Sequence, residues 1–293
     1  MKHMLLTATL LCTMSSATTA QRGLMLSELL YQPTSGVAEY VELYNASDSA
    51  VDLSGYHIIR VLHDSLTTHY ALPSHIVASH TYVVLTKDAG SVANAYTVRN
   101  LSTLVECNLP PYPNDGGSVV LSRADSVVVE RLDYSPDMHS RLLRNRAGVS
   151  LERRRFDRPA DEATNWFSAA STAGYGTPGY ANSQSSERLV EEAAFTLSST
   201  LLSPDGDGYE DALEIAYSLA SYDLAARAEV YDARGNMVQR LLDGALLGTS
   251  GTIAWDCRVH DGTMAPRGQY LIMITVYDLS GTQQMLRRTV AVL

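Results

Sequence analysis

The chain has 293 residues, 22 lysines and arginines against 32 aspartates and glutamates, and a net charge of −10. That acidic balance argues against a general nucleic-acid binder, which carries a basic footprint. The length allows two domains of ordinary size, and three cysteines are too few for a disulfide framework, so apolar cores must supply the stability.

The chain opens with Lys2 and His3, then the apolar run "MLLTATLLC" (4–12), too short to span a bilayer, then "SSATTA" (15–20). Residues 1–20 are therefore expected to be a secretory signal cleaved near Ala20. Leu11 precedes Cys12 where a lipoprotein would carry a small residue, so lipidation is discounted. No second long apolar segment follows. The mature chain is expected to be exported, to the periplasm, the outer-membrane surface or the extracellular space, without a transmembrane segment. Its remaining cysteines, Cys107 and Cys257, fall in different halves and are expected to be inert thiols.

From there, alternation of period two dominates and helical periodicity is scarce. The first half offers "LMLSELLY" (24–31), "EYVELYN" (39–45), "YHIIRVL" (56–62), "TYVVLT" (81–86), "SVVLS" (118–122), "SVVVERLDY" (126–134) and "VSLERR" (149–154) as strands. His57, His63, His69 and His75 recur every six residues, followed by His80. No acid or cysteine joins them at zinc spacing, so they are expected as surface residues. Arg141, Arg144, Arg146, Arg153, Arg154, Arg155 and Arg158 form the one basic concentration. They can pair with Glu152, Asp157 and Asp161 as a solvated face. Alternatively, their guanidinium forks can hold phosphate, sulfate or an anionic glycan.

"SSERLVEEAA" (185–194) is polar and acidic, and residues 183–194 are expected as a linker with a short helical turn. Strands then resume: "FTLSSTL" (195–201), "ALEIAYSL" (212–219), "RAEVYDA" (227–233), "MVQRLLD" (237–243), "TIAWDC" (252–257), "QYLIMITVYD" (269–278) and "QMLRRTVAVL" (284–293). "VYDARGN" (230–236) and "VYDLSGT" (276–282) each predict a hairpin whose glycine supplies positive φ.

"SPDGDGYEDAL" (203–213) sets Asp205, Asp207 and Asp211 at relative positions 1, 3 and 7. An EF-hand is excluded, because the closing glutamate is missing. Two readings stand: a turn network in which the aspartates cap backbone N–H groups, or a loop that binds calcium through oxygen. No nucleophile or histidine lies nearby to make a catalytic pair. The chain also has no Gly-x-Ser-x-Gly, zincin, Walker or Rossmann motif.

"LSELLYQPTSGVAEYVELYNASDSAVDLSGYHI" (26–58) and "SLERRRFDRPADEATNWFSAASTAGYGTPGYAN" (150–182) resemble a bacterial, exported lamin-tail domain. The landmarks are Glu28, Pro33, "EYVELYN", "VDLSGY", "SLER", "NW" and "GTPGYAN", spread in order over the first half. The second half resembles the immunoglobulin-like C-terminal module of the flagellar hook-capping family. It is also similar to the C-terminal domains of proteins exported by the type IX secretion system. "SPDGDGYEDAL", "VYDARG", "WD" (255–256) and "GQY" (268–270) carry that likeness, with Cys257 where the family usually has glycine.

The expected architecture is all-β: two immunoglobulin-like β-sandwich domains in tandem, 21–182 and 195–293. The expected role is a non-enzymatic exported structural, adhesive or scaffold protein of the envelope, with the second module docking or sorting. Its partners would be other envelope or surface proteins, with no small-molecule substrate. The alternative is an accessory binder of an anionic polymer (lipopolysaccharide, polysaccharide or extracellular DNA) through Arg141–Arg158.

Overall fold

The structure is a computed structural model that describes residues 23–62 and 65–293. The segment expected as a secretory signal, with Gln21, Arg22, His63 and Asp64, lies outside the described residues.

The first domain has twelve strands: β1 Leu24–Leu30, β2 Tyr40–Asn45, β3 Val51–Asp52, β4 Tyr56–Leu62, β5 Ser65–Ala71, β6 Ile76–Val77, β7 Tyr82–Thr86, β8 Leu104–Glu106, β9 Gly117–Arg123, β10 Val128–Tyr134, β11 Leu151–Arg153 and β12 Trp166–Ser168. Ten of them build a six-stranded sheet, β12-β11-β1-β2-β7-β8, facing a four-stranded sheet, β10-β9-β4-β5, and β3 and β6 pair as a two-stranded sheet. The core fills the space between them, with Leu24, Val41, Leu43, Val83 and Leu151 from one sheet and Ile58, Val119, Leu121 and Leu132 from the other. Trp166 is buried there, as expected, and donates its indole N–H to Ala160 O at 2.8 Å.

The six-stranded sheet is covered on its second face too. Leu30, Tyr40 and Val84 pack there against Val92 of helix α1 (Ala89–Ala95) and against Tyr96. The chain's alternation gives no sign of this helix; Asp88 caps it by accepting from Ser91 N–H at 2.9 Å. Every residue of β1 is consequently buried, which explains its nearly uninterrupted apolar run. A bulge between Leu26 and Glu28 inserts Ser27 and reverses the alternation. Leu24 and Leu26 before it, and Leu29 and Tyr31 after it, thereby all reach the central core. Glu28 is turned to the other face.

The second domain has β13 Ala194–Leu197, β14 Leu201–Leu202, β15 Leu213–Ser218, β16 Ala225–Asp232, β17 Met237–Leu246, β18 Ser250–Trp255, β19 Gly268–Tyr277 and β20 Gln283–Val292. A three-stranded sheet, β13-β15-β18, packs on a five-stranded one, β14-β20-β19-β16-β17. Ile215, Tyr217, Ile253 and Trp255 meet Ala228, Val230, Ile272, Ile274 and Val290 in its core. Both expected hairpins form, with Gly235 at φ 84° and Gly281 at φ 83°. Asp232 and Asp278 each accept N–H groups of their own turn. "FTLSSTL", expected as one strand, divides: β13 pairs with β15, and after Ser198–Thr200 the chain crosses to pair β14 parallel with β20. Cys257 sits at φ 57°, a left-handed conformation that favours glycine. Both Cys107 and Cys257 are free, and burial pushes each thiol up to about 11.

The segment expected as a solvated linker starts inside the fold. Ser183 and Gln184 are buried. Thr249 N–H donates to Ser183 O at 2.8 Å, and the Gln184 amide donates to Leu247 O at 3.0 Å. Ser171 Oγ donates to Leu246 O at 2.7 Å, and Thr172 Oγ1 lies 2.8 Å from the Tyr217 hydroxyl. Arg154 lies 3.3 Å over the Tyr222 ring, which also meets Phe167 edge to face. The two sandwiches are therefore packed against each other, and only the stretch after the turn Ser186–Arg188 is largely exposed.

Candidate functional site

Asp205, Asp207 and Asp211 do converge: one carboxylate oxygen from each lies within 4.8 Å of the others. Asp211 accepts Gly206 N–H and Gly208 N–H, each at 2.7 Å, through its two oxygens. Asp205 accepts Asp207 N–H at 3.2 Å, and Asp207 accepts Tyr209 N–H at 2.8 Å. The turn network is thus present. The donor set is all oxygen and belongs to hard cations of the calcium class rather than zinc.

The seven arginines do not form one fork. Strand alternation sends Arg153 between the two sheets of the first domain, where it is 1% exposed and paired with Glu130 at 2.9 Å. Its other donors serve Leu26 O, Arg155 O and Arg158 O. Arg154 is held on Tyr222 of the second domain, Arg155 pairs with Asp157, and Arg158 pairs with Glu162 at 2.9 Å. These four are engaged within the chain, Arg153 and Arg154 by burial or by the second domain and Arg155 and Arg158 by exposed ion pairs. Arg141, Arg144 and Arg146 remain together on an exposed loop, lining a cavity of about 250 Å³ with His139 and Asp137. Arg146 donates to Gln32 Oε1 at 3.2 Å. Glu152, expected as a surface partner for arginine, instead points away from Arg153 and is wholly buried.

Among the described residues the histidines form no metal-type cluster: His57 and His69 meet ring to ring at 5.6 Å across the β4–β5 hairpin, and His80 bonds Asp48 at 3.0 Å.

Sequence reasoning missed a different constellation. Glu152, Glu28 and Glu42 stand directly opposite one another on β11, β1 and β2, forming a row across the outer face of the six-stranded sheet. All three are at most 1% exposed. The segment 176–184 lies across them as a strap. Glu28 accepts Thr177 N–H at 3.0 Å, Glu42 accepts Gly179 N–H at 2.6 Å, and Glu152 accepts Gln184 N–H at 2.9 Å. The Tyr40 hydroxyl donates to Glu28 at 2.6 Å, and the Ser150 hydroxyl also donates to it.

Burial raises all three carboxyls, and the charge of Glu28 adds to the effect on its neighbours. Glu152 is raised to about 7 and Glu42 well above the usual range. A signal was present: Glu42 sits between Val41 and Leu43, and Glu28, after Ser27, interrupts an otherwise apolar strand. A charge there must be either a sheet-face residue or a buried one that carries its own donors.

Residues 17–136 match the lamin tail domain family, as the first-half motifs anticipate. No curated protein matches the chain. Among solved structures, FlgD from P. aeruginosa is 17% identical, with 35% of this chain and 77% of that chain covered, at a TM-score of 0.25. PorZ, an essential bacterial surface component of the type-IX secretion system of Porphyromonas gingivalis, is 13% identical. The alignment covers 90% of this chain and 30% of PorZ, at a TM-score of 0.29. Dimeric latent PorU from the same organism is 10% identical, with 92% of this chain and 20% of PorU covered, at a TM-score of 0.28.

Proposed function

We propose that this chain is a non-enzymatic exported scaffold of the cell envelope, in which a lamin-tail sandwich carries an immunoglobulin-like module that docks other envelope or surface proteins. The packed junction is the observation that carries the reading: Arg154 on Tyr222, and Ser183 and Gln184 bonded to Thr249 and Leu247, hold two sandwiches as one stiff unit. A stiff unit presents a face at a fixed place. The five-stranded sheet offers one, a groove of about 600 Å³ lined by Tyr231, Leu271, Met273, Arg287 and Thr289. No described helix is long and apolar enough to cross a membrane, so attachment would run through such a face.

The test compares the full chain, a chain lacking 195–293, and a full chain with Leu271→Glu and Met273→Glu in the groove. The full chain should sediment with envelope fractions and both variants should be released. Equal retention of all three would overturn the docking role.

A second, narrower reading is supported by the loop that keeps Arg141, Arg144 and Arg146 together: binding of an anionic polymer. Retention on heparin at low salt, lost when these three become alanine, is the expected result; straight flow-through of the unaltered chain overturns it. For the second module we also propose calcium at Asp205, Asp207 and Asp211.

A further inference from the structure

The Thr177 hydroxyl lies 2.9 Å from Glu28 Oε2 and 2.8 Å from Glu152 Oε1. A threonine hydroxyl carries one hydrogen, so it can donate to only one of these oxygens. Toward the other it must accept, and a carboxyl oxygen donates only when it holds a proton. One proton therefore belongs to this pair of glutamates. The remaining donors say where it sits. Glu28 Oε1 receives the Tyr40 hydroxyl, the Ser150 hydroxyl and Thr177 N–H, donors that call for an ionised acceptor. In Glu152, Oε2 receives Ser183 Oγ and Gln184 N–H, whereas Oε1 meets only Thr177. The chain is then Glu152 Oε1–H to Thr177 Oγ1–H to ionised Glu28.

The same strap leads into the domain junction. Ser183 and Gln184, gripped by Glu152 Oε2, are the residues bonded to Thr249 N–H and Leu247 O of the second domain. We propose that the proton shared by Glu152, Thr177 and Glu28 latches strap 176–184 onto the sheet, and that its loss as pH rises loosens both the strap and the domain junction.

The groups facing the row do not replace that proton. Tyr40 from β2, Tyr96 after α1 and Tyr180 of the strap are all raised by burial and by the Glu28 charge, so they stay neutral. Glu42 faces the row from β2 and is itself raised by burial and by Glu28. Arg99 is drawn over the Tyr180 ring at 4.2 Å, and Arg153 turns to Glu130 on the opposite face. A second ionised carboxylate beside Glu28 would thus stand next to a like charge out of water. The folded-state value of Glu152, about 7, lies above the ordinary carboxylate value. Its stabilising contribution is therefore complete below that ordinary value and is lost as pH rises through 7.

Backbone hydrogen exchange at Thr177, Gln184 and Thr249 of the full chain, corrected for the intrinsic pH effect, tests this. Protection should fall by about tenfold per pH unit between the ordinary carboxylate value and about 7, the slope of one linked proton, and level off above it. Glu152→Gln should abolish that slope and keep the strap seated at pH 8.5. Its amide can donate to Thr177, and its oxygen can still accept from Ser183 and Gln184. Glu28→Gln should loosen the strap at every pH, because it sets an amide against hydrogen-bond donors. Carboxyl carbon titration of the unaltered chain needs no variant and should show Glu28 ionised at pH 6 while Glu152 is still protonated. A flat profile in the unaltered chain, an unchanged slope in Glu152→Gln, or both glutamates titrating in the ordinary range would overturn the proposal.

Discussion

Replacing Arg153 with methionine isolates the ion pair that ties the two sheets of the first domain together. The guanidinium donates to Glu130 Oε1 at 3.0 Å and Oε2 at 2.9 Å, to Leu26 O at 2.9 Å, to Arg155 O at 3.2 Å and to Arg158 O at 2.6 Å. Glu130 in turn accepts Leu26 N–H at 2.6 Å, so the pair together serves the peptide groups of the residue beside the β1 bulge. Methionine fills comparable volume but leaves three carbonyls without their donor and a carboxylate without its counter-charge. Removing one partner of a buried pair costs about 3–5 kcal/mol. In a domain of this size each kcal/mol moves Tm by about 2–4 °C, so the transition should fall by about 6–20 °C. Calorimetry of the full chain measures this, with Arg155→Met and Arg158→Met as exposed controls that should shift little. Glu130→Gln combined with Arg153→Met should cost less than the sum of the two single changes. An Arg153→Met transition that coincides with the controls would refute the structural role and return Arg153 to the pool of free cations.

Three further outcomes follow from the geometry. A Cβ on Gly248 would lie 2.8 Å from Ser183 O, so Gly248→Ala should pry the junction open; limited proteolysis within 187–193 should quicken while the circular dichroism of both sandwiches stays the same. In the unaltered chain that exposed stretch should be cut first, leaving fragments near 21–186 and 194–293; early cutting inside 26–180 would contradict the two-unit division. If calcium binds the aspartate loop, melting in calcium should exceed melting in chelator by several degrees, since a hundredfold excess over Kd stabilises by about 2.7 kcal/mol. Asp207→Ala should erase the difference, whereas identical curves for the unaltered chain leave the three aspartates as turn caps.

The sequence by itself settled what depends on local period and local turn chemistry. Alternation placed the long strands, because one face of each must be apolar, and Val-Tyr-Asp followed by glycine marked both hairpins. It also placed Asp205, Asp207 and Asp211 in one loop, because neighbours in a tight turn must converge. What it could not decide was the face each strand turns to a second neighbour. The single-residue bulge at Ser27 carries Glu28 away from the central core, and no local pattern encodes where a ladder slips. Arg153 and Glu152 are adjacent in sequence, yet alternation sends one between the sheets to Glu130 and the other beneath the strap to Thr177, 25 residues away along the chain. The seven arginines share one stretch of sequence, yet tertiary structure separates them: Arg141, Arg144 and Arg146 stay exposed together and Arg155 and Arg158 pair locally, whereas Arg153 and Arg154 are held by Glu130 and Tyr222, which distant segments bring. Those partners, and the shared proton that goes with them, exist only once the sheets have closed.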